Sequence, residues 1–223
     1  MIRPPGNEAG AAVADNGAML SCLTRGIEQL ALSLDGQQRH ALVRYVDLLL
    51  QWNRVYNLTS VRDPMEIARR HILDCLAVVP YLRGTRLLDL GTGAGLPGMI
   101  LAITRPDVSC VLMDGNGKKT RFCLQAAMTL DLANVEIVHA RVEKYVPEEL
   151  FDTVTARAFG DLSVIWHHAG RLLKSGGQLL AMKGIAREDE ASGEWAGATS
   201  RTTVSLTVPG LGAERHLVIV ERR

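Results

Sequence analysis

The chain has 223 residues, of which 47% are hydrophobic, and a formal net charge of +1. This length and apolar content suffice for one substantial α/β core with a small appendage. The near-neutral charge excludes a broadly basic protein, so any contact with nucleic acid must come from a local patch. No apolar run has the length of a membrane span, and we expect no membrane association.

The histidines and cysteines give no sign of a metal site or of disulfides. His167 and His168 are adjacent, and adjacent helical residues diverge. The cysteines form no C-x-x-C pair and lie within apolar patterns, at Cys22, Cys75, Cys110 and Cys123. This usage is typical of buried free thiols in a reducing compartment, so we expect a cytoplasmic protein.

The first third of the chain predicts a flexible tail, residues 1–17, and a helical module, residues 18–83. One helix shows apolar spacing of i, i+3, i+4, i+7, and a second begins near Pro64 with Asp63 as its cap. Their expected buried positions are Leu42, Tyr45, Val46 and Leu49, then Met65, Ala68, Ile72, Leu76 and Val79. On the second helix we expect the exposed face to carry Arg69, Arg70, His71 and Asp74.

From residue 84 to 223 the pattern changes to strands that alternate with helices. Strict alternation predicts an α/β fold with a doubly wound, mostly parallel sheet. Helices are expected at Pro97–Ile103, Lys118–Leu130 and Asp161–Leu173, and strands at Arg86–Leu90, Ser109–Asp114, Asn134–His139, Asp152–Ala156 and Gly177–Lys183. Two further strands, Thr202–Val208 and His216–Val220, have no helix between them and predict an antiparallel edge.

A glycine run follows the first strand and indicates a ligand at its carboxyl end. The sequence is Leu87-Leu88-Asp89-Leu90-Gly91-Thr92-Gly93-Ala94-Gly95-Leu96-Pro97-Gly98. It satisfies the dinucleotide fingerprint G-x-G-x-x-G, and Asp114 lies near the spacing of a ribose-binding acid. Two details favour S-adenosylmethionine (AdoMet): Asp89 suits a sulfonium and an amino group, and Pro97 removes a helix N–H that a pyrophosphate would use. Both cofactors remain open at this point.

Charged residues follow successive strands, where the carboxyl ends meet at one edge of the sheet. Asp114 can accept ribose hydroxyls, or it can simply cap the next helix. After the third strand, Val142 can offer a backbone amide to adenine, and Glu143 is either a ligand or a surface residue. Arg157 and Lys183 end the fourth and fifth strands, where they can meet a carboxylate or a phosphate.

A basic group opens the helix after the second strand, with Lys118, Lys119 and Arg121. Positive charge is unfavourable at this end of a helix dipole. Either these residues form a solvated face or they contact a phosphate.

The chain resembles the RsmG (GidB) family of bacterial methyltransferases, which act on guanine N7 in small-subunit ribosomal RNA. The resemblance covers nearly everything from residue 30 to 220. Its motifs are Trp52-Asn53-x-x-x-Asn57-Leu58-Thr59, His71-Ile72-Leu73-Asp74, Asp89-x-Gly91-Thr92-Gly93-x-Gly95-Leu96-Pro97-Gly98, Arg157-Ala158-Phe159 and Glu214-Arg215-His216-Leu217. Cys75 departs from the serine usual after the second motif.

The resemblance implies a Rossmann-like class I methyltransferase domain at residues 84–223, with AdoMet as cofactor. It implies AdoMet contacts from Gly91, Leu96, Val142, Glu143 and Arg157. To these the residue analysis adds Asp89, Gly93, Gly95 and Asp114. The expected partner is 16S ribosomal RNA or the small-subunit particle, and the expected state is a monomer.

Methylation at guanine N7 needs no general base, because N7 carries an in-plane lone pair and no proton at neutral pH. Catalysis then depends on alignment and electrostatics. We expect the catalytic residues Arg157 and Lys183 beside the acceptor guanosine or its phosphate. The alternatives are a methyltransferase for another RNA base or for a protein, and a non-catalytic RNA-binding protein on the same scaffold.

Overall fold

A computed structural model of the chain describes residues 12–157, 160–184 and 195–223. Its helices are α1 (Ala12–Gln29), α2 (Gly36–Tyr56), α3 (Pro64–Ile67), α4 (Asp74–Leu76), α5 (Gly98–Thr104), α6 (Gly117–Thr129) and α7 (Leu162–Gly170). A π-helical segment, Ala68–Leu73, joins α3 to α4. The strands are β1 (Arg86–Leu90), β2 (Ser109–Asp114), β3 (Val135–His139), β4 (Phe151–Arg157), β5 (Leu173–Lys183), β6 (Ala198–Ser205) and β7 (His216–Arg222).

The seven strands form a single sheet in the order β3-β2-β1-β4-β5-β7-β6. The first five are parallel, and β7 runs antiparallel to both β5 and β6. This confirms the predicted doubly wound sheet with an antiparallel C-terminal strand. The order reverses at β1 and β4, and this switch point is where ligands bind in open parallel sheets.

Local signals fix where the N-terminal helices begin and end. The Asp35 side chain accepts from the Gln38 N–H and the Gln38 side chain accepts from the Asp35 N–H, which forms a capping box at the start of α2. Asp63 caps α3 as predicted, through a 2.8 Å bond from the Glu66 N–H. At the other end of α2, Asn57 adopts a left-handed conformation (φ 48°) and stops the helix.

The N-terminal helices share a core with the sheet. One apolar cluster joins buried residues of α1 and α2, such as Leu23 and Leu49, to residues of α5 and β2, such as Ile100 and Leu112. A second cluster covers the other face of the sheet and contains Trp166 of α7. The module at residues 18–83 therefore fixes its position relative to the sheet by burying apolar surface against it.

The predicted tail is shorter than expected, because α1 already begins at Ala12. Of the predicted tail, residues 1–11 lie outside the described residues. The helix starts before the predicted residue 18. Its C-terminal half is anchored by the buried side chains of Met19, Leu23 and Ile27, and the preceding turns extend this anchored helix toward the N-terminus.

The prediction that His71 and Asp74 lie on an exposed helix face is wrong. Their exposed fractions are 8% and 4%, whereas Arg70 is exposed as expected. The π-helical segment explains the difference, because its wider turn changes the angular phase of the residues that follow. Ile72 remains buried, and His71 and Asp74 also turn toward the sheet.

Candidate active site

The glycine loop between β1 and α5 has a backbone that only glycine adopts readily. Gly91, Gly93 and Gly95 have φ values of 68°, 61° and 84°. A Cβ placed on Gly93 would make only ordinary contacts, with the Gly91 carbonyl oxygen at 3.9 Å and Lys119 Nζ at 4.0 Å, so no tightly packed group covers the loop there. A ligand can therefore approach the main chain at Gly93 at the carboxyl end of β1.

Asp89 supports this loop from beneath. Its Oδ2 accepts bonds from the Thr92 hydroxyl (2.5 Å) and the Gly98 N–H (2.8 Å), and its Oδ1 accepts from the Thr155 hydroxyl (2.9 Å). The side chain has no solvent-exposed surface. The carboxylate points into the protein, where three donors converge, and this favours support of the loop over direct contact with the cofactor.

Gly98 is required by the same packing. A Cβ on Gly98 would lie 2.7 Å from both Cβ and Oδ2 of Asp89. The last glycine of the motif therefore permits helix–strand contact, whereas Gly93 faces the ligand side. Leu96, between them, is largely buried in the core formed with the N-terminal helices.

Asp114 lies at the carboxyl end of β2, next to the open side of the loop. Its Oδ2 accepts a bond from the Gly93 N–H (3.0 Å) and lies 3.7 Å from the Lys119 ammonium. Its Oδ1 accepts from the Asn116 N–H (2.8 Å). Asn116, and not Asp114, is the side-chain cap of α6, which removes the simpler interpretation of this acid as a helix cap.

Val142 and Glu143 lie in a short 3₁₀ turn, Val142–Lys144, that follows β3. Val142 is buried in the core on the α7 side of the sheet, and Glu143 is exposed. The guanidinium of Arg171 donates to the carbonyl of Val142, which fixes the turn against α7. Glu143 is therefore an exposed residue at the carboxyl end of β3, on a turn whose backbone is fixed by Arg171 and by the buried Val142.

Arg157 connects the end of β4 to the π-helical segment. Its guanidinium donates to His71 Nδ1 (3.1 Å), Asp74 Oδ2 (3.4 Å) and Cys75 Sγ (3.6 Å). Arg215, just before β7, donates from Nε to the other oxygen of Asp74 (3.1 Å). One buried carboxylate therefore holds two arginines from distant parts of the chain.

His71 has a defined protonation state in this network. A guanidinium only donates, so Nδ1 of His71 accepts from Arg157, and its Nε2–H donates to the Thr59 hydroxyl at 2.8 Å. Burial, with the nearby Arg157 charge, lowers the pKa of His71 to about 4. The imidazole is therefore neutral at physiological pH.

The neighbouring thiol and acid are also poorly suited to act as general bases, the thiol because of burial and the acid because of its arginine partners. Burial raises the pKa of Cys75 to about 12, so this thiol stays protonated. Burial raises the pKa of Asp74 as well, while Arg157 and Arg215 oppose that shift. Both oxygens of Asp74 are occupied by guanidinium groups.

His71, Asp74, Arg157 and Arg215 line a cleft of about 310 Å³ at the carboxyl ends of β4 and β5. We call it the acceptor cleft. Lys183 also lines it, and its ammonium donates to the Gly160 carbonyl (3.0 Å). The lining residues are Arg70, His71, Asp74, Arg157, Met182, Lys183, Gly184 and Arg215. The structure thus brings Arg157 and Lys183 to one cleft, as predicted.

Sequence reasoning missed three residues of this cleft: His71, Asp74 and Arg215. All three belong to motifs that carried the family resemblance, and that membership was the available signal. Helical periodicity gave the opposite answer for His71 and Asp74. Ala158 and Phe159, which complete the Arg157 motif, lie outside the described residues.

The N-terminal helices also hold the glycine loop. The Tyr45 hydroxyl of α2 donates to the carbonyl of Ala94, and burial raises the pKa of Tyr45. Asn53 accepts from the Thr59 N–H (2.9 Å), and Thr59 in turn contacts His71. The predicted helical module therefore contributes directly to both the loop and the acceptor cleft.

Residues of the described ranges include no group of three or more metal-ligating side chains. No helix within those ranges is long and apolar enough to cross a membrane.

The fold and the site define a Rossmann-like protein with a ligand crevice at the switch point of its sheet, the fold of class I methyltransferases. Among solved structures, the chain is similar to a predicted O-methyltransferase from Agrobacterium tumefaciens, with a TM-score of 0.56 and 23% identity over 68% of this chain and 80% of that one. It is also similar to a SAM-dependent methyltransferase from Aquifex aeolicus, with a TM-score of 0.55 and 17% identity over 75% and 97%. At these identities the likeness establishes the fold alone.

The sequence comparisons establish the family. Residues 38–218 match the family GidB, described as rRNA small subunit methyltransferase G, and the chain belongs to this family. Relatives called ribosomal RNA small subunit methyltransferase G occur in Methylococcus capsulatus (47% identity, 87% of this chain and 95% of the relative) and Xanthomonas axonopodis pv. citri (46%, 91% and 94%). AdoMet, the predicted cofactor, is therefore confirmed over a dinucleotide.

The residues present fit AdoMet. The open main chain at Gly93 leaves room for a ligand, and two carboxylates, Asp89 and Asp114, lie within bonding distance of the loop. Negative charge so close to the loop disfavours a pyrophosphate, which glycine loops of this kind bind through unopposed N–H groups.

Proposed function

We propose that this protein transfers the methyl group of AdoMet to N7 of a guanosine in 16S ribosomal RNA. Membership of the rRNA small subunit methyltransferase G family supports the RNA substrate. The chemistry of the acceptor cleft supports N7 as the acceptor atom.

The observation that carries this proposal is the state of the acid–base groups in the acceptor cleft. His71 is neutral and donates its only N–H to Thr59, Asp74 is held by two arginines, and the Cys75 thiol stays protonated. A hydroxyl or an exocyclic amine must lose a proton on methylation and so benefits from a general base. Guanine N7 has a free lone pair and needs none.

The permanent cations of the acceptor cleft suit an RNA phosphate. Arg157 and Arg215 are held rigidly by Asp74, and Lys183 lies at the end of the adjacent strand. Guanidinium groups fixed in this way bind phosphate through paired N–H donors at little further entropic cost. We infer that Arg157 and Lys183 orient the acceptor nucleotide, and that Arg215 assists them.

The cofactor would be held at the ends of β1 to β3. Gly91, Gly93, Gly95 and Leu96 would line its amino-acid part, and Asp114 its ribose. Val142 and Glu143 would contact its adenine, and Arg157 would contact its opposite end. When bound, AdoMet supplies an electrophilic methyl group. Asp89 acts indirectly, since its bonds to Thr92 and Gly98 keep the loop in its open shape.

The proposal also covers the structure around the target guanosine, the form of the substrate, and the oligomeric state and location of the protein. The N7 edge is hidden in the deep, narrow groove of paired A-form RNA, so the target guanosine is unpaired or exposed in a loop. The substrate is the 16S RNA or the small-subunit particle. We infer that the protein acts as a monomer in the cytoplasm.

A methyl-transfer assay tests the proposal. Radiolabelled AdoMet is incubated with the protein and 16S RNA or small subunits from cells lacking it, and the modified base is mapped. We expect label at N7 of one guanosine. Label on another base would overturn the N7 assignment, and RNA binding without label would indicate a non-catalytic RNA-binding protein. Small subunits from cells that contain the protein serve as the control, since their site is already methylated.

A further inference from the structure

Three exposed arginines of the N-terminal helical module have no side-chain partner within the described part of the chain. Some other arginines do form ion pairs, as in Arg83–Glu221 (2.5 Å) and Arg105–Asp107 (2.7 Å). Across residues 12–157, 160–184 and 195–223, the side chains of Arg54, Arg62 and Arg70 make no hydrogen bond or ion pair. Arg70 lines the acceptor cleft, and the other two face a second cleft.

This second cleft has a volume of about 440 Å³ and lies between the end of α2 and the loop that leads to α3. We call it the α2 cleft. Its lining is Leu50, Asn53, Arg54, Arg62 and Pro64. Both of its charged residues are cations, so an anion entering it meets two guanidinium groups and no carboxylate among these lining residues.

The two acids that follow Arg62 in the sequence, Asp63 and Glu66, are engaged elsewhere. The Asp63 carboxylate caps α3 through the Glu66 N–H at 2.8 Å. The Glu66 carboxylate pairs with Arg69 at 3.3 Å. Neither acid therefore forms a salt bridge with Arg54 or Arg62.

The α2 cleft and the acceptor cleft share a thin wall. Asn53 lines the α2 cleft and binds the Thr59 N–H at 2.9 Å. The Thr59 hydroxyl contacts Nε2 of His71 at 2.8 Å, and His71 lines the acceptor cleft. Two hydrogen bonds through Thr59 thus connect the linings of the two clefts.

We propose that the α2 cleft binds a backbone phosphate of the RNA strand beside the nucleotide that enters the acceptor cleft. This inference rests on the proposed function, because it takes RNA as the substrate. Arginine binds phosphate through parallel N–H donors and keeps its charge at all relevant pH values. Phosphate contacts of this kind set the register of the nucleic acid and carry no base specificity. Arg54 and Arg62 are therefore positioning residues, remote from the methyl transfer.

The test is the double variant Arg54→Gln/Arg62→Gln, with 16S RNA binding measured by filter retention in the absence of AdoMet over a range of salt concentrations. We expect about tenfold weaker binding at moderate salt, and a slope of log affinity against log salt that is smaller by about 0.7, the value for one phosphate contact on a single strand. In the methylation assay the KM for RNA should rise while kcat at saturating RNA and the AdoMet affinity stay unchanged. The variant Arg54→Lys/Arg62→Lys should retain the wild-type slope.

The matched control is Arg25→Gln/Arg223→Gln. Arg25 on α1 and Arg223 at the C-terminus are also exposed and lie outside both cleft linings. The control loses the same charge, so it reports the general electrostatic effect. If the test variant matches the control in affinity and slope, or loses affinity with no change in slope, the α2 cleft is not a phosphate site. Failure of wild-type methyl transfer to 16S RNA would instead refute the proposed function and leave the binding result to be judged separately.

Discussion

The glycine loop and the acceptor cleft are neighbouring parts of one site, but they are built in opposite ways. The loop is local: Asp89, Thr92 and Gly98 lie within ten residues and determine its shape by bonding to one another. The acceptor cleft joins Asp74, Arg157 and Arg215, which are separated by 83 and 141 residues along the chain from Asp74. A short motif therefore indicates the loop, whereas the cleft exists only after the whole sheet has formed.

The largest expected effect is a change of the free energy of unfolding with pH, and it comes from His71 in the acceptor cleft. The pKa of His71 is about 4 in the folded protein and about 6.5 when unfolded. Between these values the unfolded state binds more protons, so the free energy of unfolding increases with pH. The contribution is fully present above pH 6.5 and is lost as the pH falls to 4, a difference of about 3 kcal/mol. Urea unfolding across this range measures it.

The variant His71→Gln provides the comparison for that experiment, because glutamine does not titrate. The difference in pH slope between wild type and variant isolates the histidine from other groups. Equal slopes for the two proteins between pH 4 and 6.5 would show that His71 is not held neutral by its surroundings.

A substitution in the loop should come next in size. Asp89→Asn replaces a carboxylate that accepts three bonds with an amide whose NH₂ group must face at least one donor. We expect a loss of about 2 kcal/mol in the free energy of unfolding, because a buried donor is left unpaired. Chemical denaturation measures the loss, and calorimetry should show weaker AdoMet binding. Asp107→Asn, in an exposed ion pair, is the control. Wild-type stability of Asp89→Asn would exclude the buried carboxylate as the support of the loop.

Arg157→Ala should lower methylation of 16S RNA at least tenfold, or about 1.4 kcal/mol, while the fold survives. Asp74 keeps its bond to Arg215 in this variant, so the buried carboxylate is not left without a partner. Steady-state kinetics and circular dichroism measure the two effects. Arg83→Ala, which breaks an exposed pair with Glu221, should retain full activity. Near-normal turnover of Arg157→Ala would refute its assigned role.

The smallest effect on stability should come from Gly93→Ala. An added Cβ on this residue would clash with nothing, but its φ is 61°, so alanine costs about 1 kcal/mol of backbone strain. Its methyl group would occupy the space next to the loop, and AdoMet binding by calorimetry should weaken. Gly17→Ala, in the first helix and with nothing near its added Cβ, is the control: it should raise stability by about 0.5–1 kcal/mol through helix propensity and leave AdoMet binding unchanged. Unchanged AdoMet affinity would mean that the cofactor does not approach Gly93.

Most of the fold could be predicted because its signals are local. The bounds of β1 and β2 agree with the prediction, and Asp63 caps α3 as expected. The edge strand β6 was placed four residues late, at Thr202 and not Ala198. Its two faces are mostly polar, so the alternation that marks a half-buried strand is weak there.

The site was predicted less completely, for physical reasons that particular residues show. Arg157 and Lys183 follow strands, and parallel strands bring their carboxyl ends to one edge, so topology alone predicted their meeting. Asp89 has the same charge whether it faces a ligand or three internal donors, so its sequence position did not distinguish these roles. His71 and Asp74 were assigned to the wrong face because a π-helical turn is not visible in a periodicity of 3.6.

The sequence by itself determined the parallel sheet, the glycine loop and the ends of the helices, because these depend on period, glycine conformation and caps that act over a few residues. Only the tertiary structure decided that Asp74 binds two arginines, that α2 holds the loop through Tyr45, and that two basic clefts share a wall. Those contacts join residues far apart in the chain, and their energy depends on burial, which exists only once the helices have packed on the sheet.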